Sequence, residues 1–258
     1  MSLQKKNPDR SGIGKRAVNL FYPKRCFMCR DLIDPEDNQA LLRYSGMGLC
    51  PSCSAEPYRI KYASPDRAAA CFLYEGNLRR AVFDLKYNGR KSYGRYFAAL
   101  MLEDEKMRDY LRSFDVLCPV PISPQRMKSR GYNQAALLTE GLCALLDTRF
   151  EDLLVRKKDT KALKGLDKNE RVRMLSGAFD CSARYLEMLN SGSIPGKILI
   201  VDDIATTGTT LEKCRQALLS PFEAGLANAG GQFMDETALM AAPEIHTLAF
   251  CTEYEDNT

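Results

Sequence analysis

The segment Lys197–Thr210, with the sequence KILIVDDIATTGTT, decides the fold and the chemistry expected of this chain. Four apolar residues at 198–201 lead into Asp202 and Asp203, and a loop of small residues and hydroxyls follows. A continuous apolar run is typical of a central parallel strand that helices cover on both faces. Ligands of such open α/β sheets bind just beyond the carboxyl ends of the strands, where we expect the two aspartates to lie.

The loop after the aspartates has the composition of an anion-binding turn at the start of a helix. Its residues are small or carry hydroxyl donors, and Gly208 permits close approach of the backbone. Apolar residues at 211, 214 and 218 predict that a helix follows the loop. Its dipole and the backbone N–H groups of the loop attract anions. Two adjacent carboxylates favour a partner rich in donors, such as a ribose diol or a metal-bound sugar phosphate. The alternative is that this segment forms a buried strand, a threonine-capped turn and a helix that bind no ligand.

This strand and loop resemble the signature with which type I phosphoribosyltransferases bind phosphoribosyl pyrophosphate (PRPP). The segment has neither the lysine of a P-loop nor a G-x-G-x-x-G sequence. The resemblance implies that Asp202 and Asp203 hold the ribose 2′- and 3′-hydroxyls at the catalytic site. It also implies that six loop residues bind the 5′-phosphate: Ala205, Thr206, Thr207, Gly208, Thr209 and Thr210.

Composition and charge narrow the class of protein. The chain has 258 residues, of which 45% are hydrophobic and 27% charged, which is typical of a soluble globular protein with one or two domains. No apolar run could span a membrane and residues 1–16 contain no secretion signal, so we expect a cytoplasmic location. The net charge is +4, but residues after Arg215 carry −7 and residues 1–215 carry +11. This asymmetry permits an anionic partner.

Ten cysteines in a chain without a visible signal favour metal binding over disulfides. Cys26 and Cys29 form a C-x2-C pair, and Cys50 and Cys53 form a second pair twenty residues later. This spacing predicts a structural zinc site with four thiolates, which leave no open position for catalysis. Four unrelated buried cysteines are the alternative. We interpret the others as small core residues: Cys71, Cys118, Cys143, Cys181, Cys214 and Cys251.

Two basic stretches lie in the middle of the chain. Residues 79–95 contain six cations and one acid around a predicted amphipathic helix, and they form either a solvated face or a basic rim over pyrophosphate or nucleic acid. A predicted strand at 115–121 precedes the second stretch, which includes Arg126, Lys128 and Arg130. Resemblance to type I phosphoribosyltransferases implies that these three contact the pyrophosphate, and an exposed basic turn is the alternative.

The motifs together resemble the ComF family, phosphoribosyltransferase-like proteins linked to DNA uptake in bacterial competence. The resemblance implies a type I phosphoribosyltransferase fold with a mostly parallel sheet and a small four-cysteine zinc module. It also implies PRPP and Mg²⁺ as ligands, and single-stranded DNA and the competence helicase machinery as partners. The motifs are Phe21-Tyr22-Pro23, both cysteine pairs, Leu85-Lys86-Tyr87-Asn88-Gly89, Pro119-Val120-Pro121, Arg130-Gly131-Tyr132-Asn133-Gln134, Glu170-Arg171, Gly177-Ala178-Phe179 and Asp202–Thr210.

Three functions are compatible with these patterns. The first is a phosphoribosyltransferase, whose transition state needs positioning and charge stabilisation, although no residue stands out as a general base for an acceptor. The second is a non-catalytic module that binds single-stranded nucleic acid through the basic stretches. The third is a regulator that senses PRPP without consuming it.

We expect a zinc module at 1–62, a helical hood at 63–114 and a phosphoribosyltransferase core at 115–258. The core departs from the family pattern. Leu163 and Met174 stand where the family has Gln and Asn, within or beside a predicted mobile loop at 155–173. Ser220-Pro221 is predicted to end the last helix, and an atypical extension leads to a strand at 247–251. His246, the single histidine, is interpreted as structural.

Overall fold

A five-stranded sheet, parallel throughout, forms the centre of the computed structural model, which describes residues 24–33, 48–55, 69–157, 177–228 and 242–253. The strand order is β1-β7-β6-β2-β3, while β4 and β5 form a separate antiparallel pair. Because β6 has neighbours on both sides, the prediction of a central strand is confirmed. The strands are β1 (Ala69–Leu73), β2 (Val116–Pro119), β3 (Arg149–Phe150), β4 (Leu154–Arg156), β5 (Phe179–Cys181), β6 (Lys197–Ala205) and β7 (Glu244–Thr252).

Helices cover both faces of the sheet. Alternate residues of β6 point to opposite faces, so Leu199 and Val201 pack in one core and Ile198 and Ile200 in the other. These two cores confirm the predicted α/β class with a mostly parallel sheet. The helices of the described residues are α1 (Pro51–Ala55), α2 (Gly76–Tyr87), α3 (Tyr93–Met101), α4 (Glu105–Arg112), α5 (Pro124–Arg130), α6 (Gln134–Leu146), α7 (Ala183–Ser191) and α8 (Thr209–Asn228).

Most of the individual elements expected from the sequence are confirmed where the structure describes them. The amphipathic helix expected around residues 79–95 is α2, which buries Leu78, Val82 and Leu85, and the structure shows that the side chain of Asn133 caps α6. The six cysteines outside the two pairs are all buried. The strand expected at 247–251 is longer than predicted, because β7 begins at Glu244.

The helix break predicted at Ser220-Pro221 is wrong, because α8 continues through Pro221 to Asn228. A proline inside a helix leaves the carbonyl of the residue four positions earlier without its N–H partner, and that residue is Ala217. Two side chains replace the missing donor. The Ser220 hydroxyl donates to the Ala217 carbonyl at 2.8 Å, and the Cys181 thiol donates to it at 3.2 Å.

Several predictions concern residues outside the described ranges. These are the departures at Leu163 and Met174, the motifs at 21–23 and 170–171, and most of the predicted loop at 155–173. Within the described residues, no helix combines the length and apolar character that crossing a bilayer requires. The domain boundaries after residues 62 and 114 stay predictions.

Candidate functional site

The two aspartates lie at the carboxyl end of the central strand, where the sheet topology was predicted to place them. β6 extends to Ala205, and Val120 donates its N–H to the Val201 carbonyl at 2.9 Å. That bond holds the segment after β2 beside Val201, the residue that precedes Asp202. The Asp203 N–H donates to Asp202 Oδ1 at 2.8 Å, which fixes the first carboxylate against the backbone.

The predicted phosphate loop is a tight connection between β6 and α8. Gly208 has a φ of 70°, a left-handed conformation that residues with a Cβ rarely adopt. The Glu212 N–H donates to the Gly208 carbonyl at 2.9 Å, so the helix begins immediately after the loop. The hydroxyls of Thr207 and Thr209 lie 2.8 Å apart. The loop therefore places backbone donors and hydroxyls at the N-terminus of a 20-residue helix, which favours an anion.

Lys86 is a member of the site that the sequence did not identify as such. Its ammonium lies 3.0 Å from Asp203 Oδ2, and the two side chains are only 18% and 11% exposed. No hydrogen bond reaches that oxygen within the described residues, so charge rather than a well-directed bond joins the pair. Tyr132 donates its hydroxyl to the Leu85 carbonyl and so anchors α2 next to Lys86.

Burial and mutual repulsion disturb the charges of the aspartates. Burial, followed by the negative charge of Asp203, raises the pKa of Asp202 to about 8, although Lys86 opposes the change. Burial alone would lower the pKa of Lys86, but the charges of Asp203 and Asp202 outweigh it and raise that pKa. The site therefore holds one ion pair and a second carboxyl whose ionisation is disfavoured by burial and by the neighbouring charge.

The basic segment after β2 forms a short helix rather than a turn. Ser123 caps α5 by accepting the Arg126 N–H at 3.4 Å, and Gly131 ends the helix with a φ of 77°. Arg130 donates to the Gln134 side chain, and its guanidinium carbon lies 5.2 Å from the centre of the Tyr87 ring. Because α5 follows a strand parallel to β6, Arg126, Lys128 and Arg130 lie on a helix that starts at the same edge of the sheet as the aspartates.

The two cysteine pairs meet in one cluster. The four Sγ atoms of Cys26, Cys29, Cys50 and Cys53 lie within 4.8 Å of one another, and only Cys29 is not fully buried. A tetrahedral zinc ion with Zn–S bonds of about 2.3 Å requires sulfurs about 3.8 Å apart. The donor set and its spacing therefore fit a metal ion with four thiolate ligands.

The cysteine cluster is docked on the helices that lead to the site. Phe27 packs its ring 5.4 Å from Tyr96 and 6.0 Å from Tyr93, measured between ring centres. Arg30 makes an ion pair with Asp84 of α2, a carboxylate that is only 1% exposed. Arg30 has a φ of 70°, a left-handed conformation that residues with a Cβ rarely adopt.

Sequence reasoning missed the contacts that depend on residues far apart in the chain. Neither Lys86 nor Asp84 was predicted to contact the sites, because spacing cannot show that one reaches Asp203 and the other Arg30. An isolated acid in a basic helix is the signal that could have indicated a paired, buried Asp84. His246, interpreted as structural, contacts the Tyr110 hydroxyl at 3.2 Å and Glu244 at 2.6 Å.

The sequence is similar to curated bacterial proteins, although no family model matches it. It is 36% identical to Competence protein ComFC of Bacillus subtilis over 212 residues, which are 79% of this chain and 82% of that protein. It is 32% identical to Competence protein F of Haemophilus influenzae over 120 residues, which are 46% of this chain and half of that relative. It is 29% identical to DNA utilization protein YhgH of Salmonella typhimurium over 186 residues, which are 67% of this chain and 78% of that protein.

Proposed function

The chain belongs to the ComF family of competence proteins, and we propose that it binds PRPP at the carboxyl edge of its sheet and acts in DNA uptake. The single observation that carries the first part is the 202–210 segment, in which two carboxylates and a helix N-terminus meet at the end of a central parallel strand. The competence and DNA-utilization names of the relatives support the second part. We place this activity in the cytoplasm, where PRPP is available.

In this proposal each part of the site has a separate task. Asp202 and Asp203 accept hydrogen bonds from the ribose 2′- and 3′-hydroxyls, while the 205–210 loop donates to the 5′-phosphate. Lys86 pairs with Asp203 before the ligand arrives and adds a positive charge beside the ribose. If the protein is a phosphoribosyltransferase, the same contacts orient the sugar for displacement at its anomeric carbon.

The pyrophosphate is the most highly charged part of PRPP and needs cations. Arg126, Lys128 and Arg130 are the candidates from the described residues, because their helix starts at the same edge of the sheet. When bound with PRPP, Mg²⁺ would supply a hard cation for oxygen ligands of the ribose and pyrophosphate. The four-cysteine cluster is proposed to hold zinc with a structural role, since four thiolates complete its coordination.

A calorimetric titration tests the PRPP site. We expect the protein to bind PRPP in the presence of Mg²⁺, and Asp203→Asn to weaken binding between about ten- and a hundredfold, because a charged hydrogen-bond acceptor is removed. Glu187→Gln is the matched control, since it also removes one carboxylate but from an exposed position on α7. Circular dichroism of each variant checks that the fold is kept.

The titration has clear adverse outcomes. Absence of PRPP binding by the unaltered protein would contradict the proposal, and so would equal binding by Asp203→Asn and the native chain. Release of pyrophosphate on addition of bases or DNA would separate the transferase from the PRPP sensor.

Binding of single-stranded nucleic acid is the second candidate function. From residue 76 to residue 102 the sequence has six cations and one acid, Asp84, and that acid is buried and paired with Arg30. The exposed charge of this part of the chain is therefore wholly positive, which favours contact with phosphates. This candidate does not require the PRPP site.

A further inference from the structure

Two large aromatic side chains of α2 are exposed beside each other. Phe83 is 49% exposed and Tyr87 is 64% exposed, and their ring centres lie 4.8 Å apart. The opposite face of the helix is fully buried, including Leu78 and Leu85. Since α2 already has an apolar face in the core, the aromatic pair forms a second apolar strip that the described residues leave uncovered.

An attraction within the helix explains only part of this arrangement. Aromatic residues four positions apart stabilise a helix by roughly 0.2–0.5 kcal/mol. That interaction accounts for the pairing of Phe83 with Tyr87 but not for the cations around them. An exposed apolar patch with a polar rim can mark a place where another molecule binds.

One cation contacts the aromatic pair directly, and three further exposed cations belong to the same helix or to the segment that follows it. The guanidinium carbon of Arg130 lies 5.2 Å from the Tyr87 ring centre, and this cation–π pair links α5 to α2. Arg80, one turn before Phe83, is exposed and is held in place by donating to the Cys29 carbonyl at 3.0 Å. Arg90 and Lys91 are exposed directly after the helix. The 116–139 stretch, which contains α5, has no acid at all.

We propose that Phe83, Tyr87, Arg80, Arg90, Lys91 and Arg130, here called the aromatic–basic surface, bind single-stranded DNA. Rings that face outward can stack on unpaired bases, while the surrounding cations contact the phosphates. A duplex hides the faces of its bases, so stacking selects a single strand over a duplex. This inference deepens the second candidate function and does not depend on PRPP.

The aromatic–basic surface lies between the two other sites of the molecule. Arg80 of α2 contacts Cys29 of the cysteine cluster, Asp84 pairs with Arg30 beside that cluster, and Lys86 contacts Asp203. A strand bound there would pass from the cysteine cluster toward the edge of the sheet. The cysteine cluster would then position the surface through α2 rather than contact the bases itself.

Fluorescence anisotropy tests the proposal with a labelled oligothymidine of about 20 nucleotides, which is long enough to span the surface. We expect Phe83→Ala and Tyr87→Ala each to weaken binding about five- to a hundredfold, the range measured for removal of one stacked base. Phe83→Tyr and Tyr87→Phe should bind like the native chain, because a ring is kept. Leu186→Ala is the matched control, because Leu186 is an exposed apolar residue on α7 with 45% exposure.

Salt and duplex measurements separate stacking from charge. The slope of log affinity against log salt should stay unchanged in Phe83→Ala. In Lys91→Gln the slope should become shallower by about 0.7, because one phosphate of the strand is no longer neutralised by a lysine. A duplex of the same length should bind more weakly than the single strand and should not respond to Phe83→Ala.

Two outcomes would overturn the proposal: affinity of Phe83→Ala and Tyr87→Ala equal to that of the native chain, or an equal decrease of duplex binding in these variants. Asp203→Asn keeps the two proposals apart. It should retain full DNA affinity, and Phe83→Ala should retain full PRPP affinity, so failure of one site leaves the other measurable.

Discussion

Asp202 shows how one residue can combine a structural cost with a functional use. Burial and the charge of Asp203 raise the pKa of Asp202 to about 8 and so disfavour its ionised form. Since that pKa lies above the usual value, ionisation costs folding stability, and stability falls as the pH rises from about 4 to 8. Hydroxyl donors of a ribose would favour the ionised form and lower the pKa again.

Binding of PRPP should therefore release a proton from Asp202 below about pH 8. Calorimetry at about pH 7 in two buffers with different ionisation enthalpies measures this release, and the affinity should increase with pH up to about 8 and then level off. Asp202→Asn provides the control, because it removes the group that releases the proton. Identical proton release by Asp202→Asn and the native chain would assign the proton to another group.

At the scale of single elements, α8 shows what a local pattern cannot predict. A proline in a predicted helix correctly signals a missing backbone hydrogen bond, but the sequence around it does not show which distant group replaces the donor. Here Cys181, from β5, reaches the Ala217 carbonyl. The buried strands and the phosphate loop were predictable because their signals are continuous in sequence, whereas this compensation depends on tertiary packing.

Pro221→Ala tests how complete the compensation is. An interior proline costs about 3 kcal/mol when the freed carbonyl stays without a partner. Because the Ala217 carbonyl already accepts from Ser220 and Cys181, we expect Pro221→Ala to increase the free energy of unfolding by only about 1 kcal/mol. Chemical denaturation measures the difference. An increase near the full cost of about 3 kcal/mol would show that the two side chains do not replace the backbone donor.

At the scale of the whole molecule, α2 connects three features that the sequence placed in separate regions. The helix contacts Arg30, next to the cysteine cluster, through Asp84, the sheet edge through Lys86, and solvent through its aromatic pair. The sequence predicted each of the first two sites by its own motif. The link between them was not predictable, because it consists of ion pairs between residues far apart in the chain.

Removal of the metal ion that we propose for the cysteine cluster should therefore disturb more than the cluster. We expect a strong chelator to lower Tm by roughly 10 °C or more, because four clustered thiols are left without their shared ligand and the packing around Phe27 loosens. It should also weaken PRPP binding, since α2 carries Lys86. The variant Arg30→Met separates loss of the metal from loss of the ion pair between Arg30 and Asp84. It should retain the metal, yet lower Tm by leaving Asp84 without its cation. Unchanged PRPP affinity after metal removal would contradict this coupling.

The buried Asp84 carboxylate also limits how relatives of this chain can be recombined. A chimaera that took its cysteine cluster from one parent and α2 from another would retain both motifs in full. It would nevertheless bury an acid without a matching base whenever α2 came from a parent with Asp84 and the cluster from a parent without a cation at position 30. Crossovers should therefore fall after residue 88, so that the cluster and the helix are inherited as one block.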